Sequence, residues 1–287
     1  MLNYTQLKAL AAVIQTGSFD AAAQQLHVTQ SAVSQRIKSL EEHIGTPLIK
    51  RGQPCEGTDT GHKLARHLSE VALLESRVTQ TAPKAPHRLR IAVNADSLAT
   101  WVLEALARHP DMQFEIVVDD QDHSAAWLER GEVSAVVTAK EKPPQGCDSI
   151  SLGTMMYAPI ASPEFVEKHF PKGVDNSSLP KAPMLVFNNK DALQHSWIKK
   201  NFNVIHRGHI QQIPSTQGFI DAAILGMGWG LNPQGLVEPY LADGRVQRLV
   251  EGCDLPVPLF WQYPRLLKDG LSGLTESIVD ISRRSMK

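Results

Sequence analysis

Polar side chains that can form directional hydrogen bonds are concentrated between residues 29 and 51. A glutamine can bond adenine through two contacts, an arginine can read guanine or clamp a phosphate, and a serine can donate or accept. The residues of these types are Thr29, Gln30, Ser31, Ser34, Gln35, Arg36 and Lys38, followed by Lys50 and Arg51. They predict a helix face that contacts DNA base edges and a following loop that touches the backbone or minor groove.

A second group of polar residues stands where predicted strands end and helices begin. They are Asn94, Asp96, Ser97, Thr100 and Trp101 after the first strand, Asp119 and Asp120 after the second, Thr138 at the end of the third, and Ser215 and Thr216 later in the chain. Free backbone N–H groups at such junctions suit a carboxylate, and aspartates suit a cation. Two alternatives stay open, namely that Asp96 or Ser97 is only a helix cap, or that the later aspartates form a solvated loop.

The elements that position the first group are helices. Apolar residues from Leu7 to Ile14 recur at helical spacing up to Thr16–Gly17, and Ser18 caps a short second helix. Thr29 caps a third, which ends at Gly45 and has its inner face at Ala32, Val33, Ile37, Leu40 and Ile44. A loop or small hairpin is expected over residues 46–60. Three helices followed by such a segment indicate a winged helix-turn-helix over residues 1–60. The alternative is a helical bundle whose polar face is simply solvated.

A long helix is expected from about residue 58 to 82, where Pro83 and Pro86 follow. Its apolar stripe consists of Leu64, Leu68, Val71, Leu74 and Val78. This stripe is narrow, which favours a coiled-coil-like seam with a second copy of the chain. Packing of the helix on its own domain is the alternative.

From residue 88 the periodicity changes to alternating strands and helices. The pattern predicts a parallel sheet with helices on both faces, then a second round of the same alternation. We therefore expect an α/β domain over residues 88–287 with two lobes and a cleft between them, the second lobe covering about residues 162–260.

Composition narrows the function classes. The net charge of −1 over 287 residues leaves DNA binding open, because phosphate contacts depend on local charge. No apolar run reaches the roughly 18 residues of a membrane span, and the three scattered cysteines suggest reduced thiols in a cytoplasmic protein. The chain has no Gly-x-Ser-x-Gly, P-loop or His-Glu-x-x-His motif, so neither an enzyme nor a cofactor or metal is predicted.

The N-terminal signature resembles that of LysR-type transcriptional regulators. It comprises Gly17-Ser18-Phe19-Asp20-Ala21-Ala22-Ala23-Gln24-Gln25-Leu26, Val28-Thr29-Gln30-Ser31-Ala32-Val33-Ser34-Gln35-Arg36-Ile37, Leu40-Glu41-Glu42, Gly45, Pro47-Leu48 and Arg51. The resemblance implies a periplasmic-binding-protein-like effector domain, a homodimer through the linker helix, commonly a homotetramer, and as partners an operator DNA, a small-molecule effector and RNA polymerase.

Further segments are similar to the ArgP/LysG subgroup of that family. They are residues 94–101, Arg130-Gly131-Glu132-Val133, Met155-Met156-Tyr157, Phe165 to Pro171, Lys181-Ala182-Pro183 and Trp261. This similarity implies that the chain senses lysine or arginine and controls genes such as an amino-acid exporter. We expect the ligand carboxylate at Ser97–Thr100 and its cations at Asp96 or at Asp119 and Asp120. A regulator of another metabolite pathway stays open, as do an enzyme, a solute-binding protein and an architectural DNA protein without a ligand.

Overall fold

The computed structural model describes residues 2–79, 87–119, 127–128 and 132–286. Along these ranges the chain forms a helical head, a long helix and a two-lobed α/β domain, which confirms the expected fold class. None of the described helices combines the length and the apolar character that crossing a membrane requires.

The N-terminal head contains three helices and a hairpin. They are α1 (Tyr4–Thr16), α2 (Phe19–Gln25), α3 (Gln30–Ile44), β1 (Ile49–Lys50) and β2 (Glu56–Gly57). The core between α1 and α3 is built from Leu7, Leu10, Val13, Val33, Ile37 and Leu40, all of them buried. Because these residues recur every three or four positions, each helix turns its apolar stripe inward and leaves its polar face to solvent.

Local capping explains where these helices begin and end. Ser18 Oγ accepts a hydrogen bond from the Ala21 amide at 3.4 Å, and Thr29 Oγ1 accepts one from the Ala32 amide at 3.2 Å. Gly17 ends α1 at φ 68°, a left-handed conformation that other residues rarely adopt. A side chain at Gly17 would also bring a β-carbon within 2.9 Å of Pro54 Cβ. The turn between α1 and α2 therefore requires glycine.

The long helix α4 (Asp59–Thr79) begins where the hairpin ends. Leu64 and Leu68 pack against the core of the head, and Val71 is half-buried. The side chains of Leu74 and Val78 lie outside the described part of the chain. The first two positions of the predicted dimerisation stripe thus contact the core of the head, and pairing of this helix with a second copy of the chain stays a prediction.

The α/β domain follows as a succession of strands and helices. The strands are β3 (His87–Val93), β4 (Met112–Val118), β5 (Ala135–Thr138), β6 (Cys147–Ala161), β7 (Met184–Val186), β8 (Ile210–Gln212), β9 (Gly230–Pro233), β10 (Gln247–Arg248) and β11 (Leu255–Pro264). The helices are α5 (Ala95–Ser97), a π-helical turn (Leu98–Val102), α6 (Leu103–Ala107), α7 (Pro163–His169), α8 (Leu193–Asn201), α9 (Thr216–Ile224), α10 (Gln234–Ala242), a 3₁₀ turn (Arg265–Leu267) and α11 (Ser272–Ser285). The predicted helix over residues 124–130 lies outside the described residues except for residues 127–128.

The main sheet is mixed, which corrects the expectation of a parallel sheet. Its strand order is β10-β6-β11-β5-β3-β4, with β9 also paired to β6. The strands β4, β3 and β5 are parallel, but β11 runs antiparallel to β5 and to β6. The sheet is mixed because β11 returns to its centre from the second lobe in the opposite direction.

Two lobes share the long strand β6. The first lobe contains β3, β4 and β5 with α6 and α11, and the second contains β7 to β10 with α7 to α10. β6 pairs with β11 over residues 147–157 and with β9 over residues 157–160, so it passes from one lobe to the other. The polar end of β3 and the start of α9 meet at this crossing.

Candidate functional sites

A cleft between the lobes collects the polar ends of several elements. The space in and immediately around it that no protein atom occupies is about 480 Å³, part of which is bulk solvent. Its lining consists of Asn94, Ala95, Asp96, Asp119, Phe187, Asp191, Leu193, Thr216, Phe219, Leu231 and Asn232. Three of these side chains are carboxylates and two are amides, so the cleft can hold a ligand with both cationic and polar groups.

Asp96 connects the two lobes across the cleft. It follows β3 in the first lobe, and its Oδ1 accepts a hydrogen bond from Thr216 Oγ1 at 3.1 Å. Its Oδ2 accepts one from the Tyr157 hydroxyl, on the connecting strand β6, at 2.8 Å. The sequence placed Asp96 and Thr216 at separate junctions, and the structure brings them together.

Burial raises the pKa of the Asp96 carboxyl to about 6. Desolvation is the largest cause, because removing a carboxylate from water disfavours its charged form. The negative charge of Asp191 raises the pKa further, whereas the hydrogen bonds from Tyr157 and Thr216 oppose the rise. A cation placed beside Asp96 would therefore favour ionisation of a carboxyl that is half protonated near pH 6.

Asp119 is the second carboxylate of the cleft, and both of its oxygens accept hydrogen bonds. Oδ2 accepts from the Trp127 indole N–H at 2.8 Å. Oδ1 contacts the ammonium of Lys190, on the second lobe, at 2.9 Å. The expected partner of Asp119 in an acidic pair, Asp120, lies outside the described residues.

Asp191 is a third carboxylate that sequence reasoning did not identify. It is buried in the turn between β7 and α8, where its Oδ2 accepts from the Phe187 amide at 2.8 Å and its Oδ1 from the Leu193 amide at 3.1 Å. An aspartate just before a helix commonly marks the start of that helix. Its presence does not indicate whether the turn faces a cleft.

Two buried amide side chains complete the lining. Asn94 and Asn232 are each 2% exposed. Within the described part of the chain, neither polar atom of the Asn94 amide has a hydrogen-bond partner, nor has Nδ2 of Asn232. Buried polar groups are normally hydrogen-bonded, so a ligand or an ordered water is expected against them. Sequence reasoning selected Asn94 and missed Asn232.

Several predicted ligand contacts do not line this cleft. Trp101 is 1% exposed in the main hydrophobic core, and Ser97 and Thr138 are fully buried. Thr100 is exposed and donates a hydrogen bond to the backbone oxygen of Asp96 at 2.7 Å, while Ser215 caps α9 by accepting from the Gly218 amide at 3.1 Å.

The polar face of α3 is open to solvent in the head. Gln30, Ser31, Gln35 and Lys38 are exposed, as is the capping residue Thr29, whereas Ser34 and Arg36 are half-buried. Most of the predicted DNA-contacting residues of this helix are thus free of the protein core. Such a face is what a recognition helix needs in order to enter a major groove.

The hairpin that follows α3 carries two exposed cations. Lys50 and Arg51 are exposed, and the Arg51 guanidinium lies 6.0 Å from the centre of the Phe19 ring. The hairpin is tied to α3 because Glu41 Oε1 accepts a hydrogen bond from the Leu48 amide at 2.7 Å. A basic hairpin attached to a polar helix can bind the DNA phosphates that flank a groove.

Two family models match the chain. The model for bacterial regulatory helix-turn-helix proteins of the lysR family matches residues 4–62, and that for the LysR substrate binding domain matches residues 84–272.

Individual proteins of known family can be aligned with nearly the whole chain. The transcriptional regulator LysG of Mycobacterium tuberculosis is 42% identical over 283 residues, which are 96% of this chain and 92% of that protein. The regulator ArgP of Pseudomonas aeruginosa is 40% identical over 288 residues, 97% and 95% of the two chains.

Solved structures show the same architecture. The crystal structure of ArgP from Mycobacterium tuberculosis matches with a TM-score of 0.85 at 40% identity and covers 100% of this chain and 99% of that one. Full-length LysG from Corynebacterium glutamicum, solved with arginine bound as effector, matches with a TM-score of 0.71 at 33% identity and covers all of both chains. This chain therefore belongs to the LysR family of DNA-binding transcriptional regulators and resembles its ArgP and LysG members.

Proposed function

We propose that this regulator senses a basic amino acid, lysine or arginine, in the cleft between its lobes. The observation that supports this most strongly is the placement of Asp96, Asp119 and Asp191 around one small cavity. Free lysine and arginine each carry two positive charges and one negative charge at neutral pH. A cleft with three carboxylates has the charge to receive both cationic groups.

The lining also offers partners for the rest of such a ligand. The buried amides of Asn94 and Asn232 can donate to the ligand carboxylate, and Asp96 can accept from an ammonium or guanidinium group. These positions differ from the earlier expectation of a carboxylate at Ser97–Thr100. Among the described residues no cluster of His, Cys, Asp and Glu side chains is arranged to hold a metal ion. The arginine bound to the Corynebacterium glutamicum relative gives independent support.

The ligand would act by shifting a population of conformations. Its contacts reach both lobes, because Asp96 and Asp119 belong to one lobe and Asp191 and Asn232 to the other. A ligand that binds one arrangement of the lobes more tightly favours that arrangement, and through α4 favours one placement of the heads on DNA. We propose a homodimer or homotetramer in the cytoplasm that controls genes such as an amino-acid exporter and contacts RNA polymerase there.

Thermal unfolding of the full-length protein tests this proposal. L-arginine or L-lysine at about 100 times its dissociation constant should add roughly 2.7 kcal/mol of stability, a shift of a few degrees. Citrulline and norleucine, which have similar shapes without the side-chain cation, should shift the transition far less. A larger shift with a neutral amino acid would contradict lysine and arginine as effectors. It would favour the alternative that the protein senses a different metabolite.

Arginine binding should tighten as the pH rises through about 6. Below that pH the Asp96 carboxyl is mostly protonated, and binding of a cation beside it must release the proton because the cation favours the charged form. The dissociation constant should fall by up to about tenfold per pH unit below the pKa and level off near pH 7. Calorimetry between pH 5 and 8 measures this, and Asp96→Asn should flatten the profile. An unchanged slope in that variant would contradict the role of Asp96.

The exposed side chains of α3 should determine which DNA sequence is preferred. The cations of the hairpin should strengthen binding to DNA of any sequence. Gln35→Ala should weaken binding to the preferred site by about 1–3 kcal/mol and relax the sequence preference at one base pair. Lys50→Ala should instead weaken binding to all sequences alike and lower the slope of log affinity against log salt by about 1. Fluorescence anisotropy with selected and scrambled duplexes separates the two effects. A Gln35 variant that loses affinity equally for both duplexes would argue against base contact.

A further inference from the structure

A second cavity lies where the head meets the first lobe. It shares no lining residue with the cleft between the lobes. Helices α1 and α4 form one side of it, and strands β3 and β4 form the other, where α4 packs against β3. The polar and apolar side chains that face each other across it include Ile14, Gln15, His62, Arg66, Arg90 and Glu115. The DNA-binding head and the sensing domain therefore meet at this cavity.

Arg90, on β3, is the centre of the side of this cavity that belongs to the first lobe. Its Nε lies 3.1 Å from Glu115 Oε1 on the neighbouring strand β4. Its Nη1 donates a hydrogen bond to the backbone oxygen of Glu132 at 3.4 Å, and its own backbone oxygen accepts one from the Ser134 amide at 2.7 Å. The guanidinium thus joins β4 to the segment that precedes β5, on either side of its own strand.

Trp127 connects Arg90 to the cleft between the lobes. The Arg90 guanidinium lies 5.6 Å from the centre of the Trp127 ring, close enough for cation–π attraction. The indole N–H of the same ring donates to Asp119 Oδ2 at 2.8 Å, and Asp119 lines the cleft. Because this N–H lies in the plane of the ring, a movement of the Asp119 carboxylate tilts the surface on which the guanidinium rests. Contacts in series thus lead from the cleft to the cavity beside the head.

We propose that Arg90 is a positioning residue that transmits the presence of a ligand in the cleft to the DNA-binding head. This inference rests on the proposed function and adds a route of regulation to it. A ligand cation that attracts Asp119 shifts the carboxylate together with the indole bonded to it. Arg90 follows the ring and changes its contacts at the cavity, where α1 and α4 meet the lobe. Since α1 packs against the recognition helix α3, the change reaches the surface that binds DNA.

A coupling factor measures this transmission. It is the ratio of the dissociation constants of L-arginine for the free protein and for the protein saturated with a selected operator duplex. Arg90→Met keeps an unbranched apolar side chain and removes the guanidinium, whereas Trp127→Phe keeps an aromatic ring and removes the N–H donor. Each variant should lower the coupling factor by about 2- to 30-fold. A change that weakens arginine binding to both forms alike leaves this ratio unaltered, so a merely structural role would not move it.

The double variant Arg90→Met/Trp127→Phe tests whether the two side chains act in one series. If they do, it should lose no more coupling than the more affected single variant, whereas independent contributions would multiply. Arg108→Met is the matched control. Arg108 lies on the same lobe with a side chain 39% exposed, against 32% for Arg90, and pairs with Asp280 at 2.8 Å. Its replacement should leave the coupling factor at the wild-type value.

Calorimetry on the full-length protein, with and without the operator duplex, gives all these values. A wild-type coupling factor in the Arg90→Met variant, or losses that multiply in the double variant, would overturn the inference. Binding of arginine by the wild-type protein would in that case leave the proposed function standing. A wild-type protein that binds neither lysine nor arginine would instead overturn the proposed function, and this inference with it.

Discussion

Replacing Asp96 with alanine should weaken arginine binding by about 10- to 150-fold, since one hydrogen bond from the ligand cation to a charged group contributes about 1.5–3 kcal/mol. The same change leaves the Tyr157 hydroxyl and Thr216 without their shared acceptor, which loosens the contact between the lobes. Calorimetry on the full-length protein measures the affinity, and DNA binding without ligand should be preserved because α3 lies in the separate head.

Two further variants test whether the loss of arginine affinity comes from the charge of Asp96 itself. Asp96→Asn keeps an oxygen for the Tyr157 hydroxyl but removes the charge, so it should lose nearly as much affinity as the alanine variant. Asp111→Ala, at an exposed aspartate of the same lobe, should have no effect. Arginine affinity that survives in Asp96→Ala would place the ligand elsewhere.

The second large effect concerns stability. Trp101→Ala should destabilise the α/β domain by about 3–5 kcal/mol, because a large side chain that is 1% exposed leaves a cavity that its neighbours cannot fill. Trp101 was expected to contact the ligand, and the structure places it in the core instead. Urea unfolding measures the loss.

The variant Trp101→Phe distinguishes the two roles of this residue. A core role predicts a smaller loss of stability than with alanine, together with arginine affinity within about twofold of the wild type, since most of the buried ring is kept. Loss of arginine binding in this variant at unchanged stability would restore Trp101 as a ligand contact and contradict the core assignment.

Local signals predicted the head well because its helices begin and end at short-range features. Ser18 and Thr29 cap helices in the structure, and Gly17 and Gly45 end them in the left-handed conformation, as their residue types indicated. The direction of β11 has no such local signal. It depends on where the chain re-enters the sheet after crossing the second lobe, so an alternating pattern of strands and helices suggested a parallel sheet where a mixed one forms.

Only some of the residues that line the cleft could be predicted, because local sequence signals do not show how distant segments come together. The rule that ligands meet the carboxyl ends of strands selected Asn94, Asp96 and Asp119, all of which line it. Whether a side chain after a strand faces the cleft or the core depends on the rotation of the following helix, which includes a π-helical turn that sequence periodicity does not reveal. Asp191 and Asn232 come from the opposite lobe, and only the folded arrangement brings them within reach of Asp96.

We expect a basic amino acid in this cleft and DNA on the head to bias the same conformational equilibrium. This expectation is tested by measuring the dissociation constant of arginine for the free protein and for the protein saturated with an operator selected from random duplexes. Coupling requires the two constants to differ by about 5–150-fold, and operator affinity to change by the same factor when arginine is added. Equal constants would contradict the claim, since a ligand that binds both states alike regulates nothing.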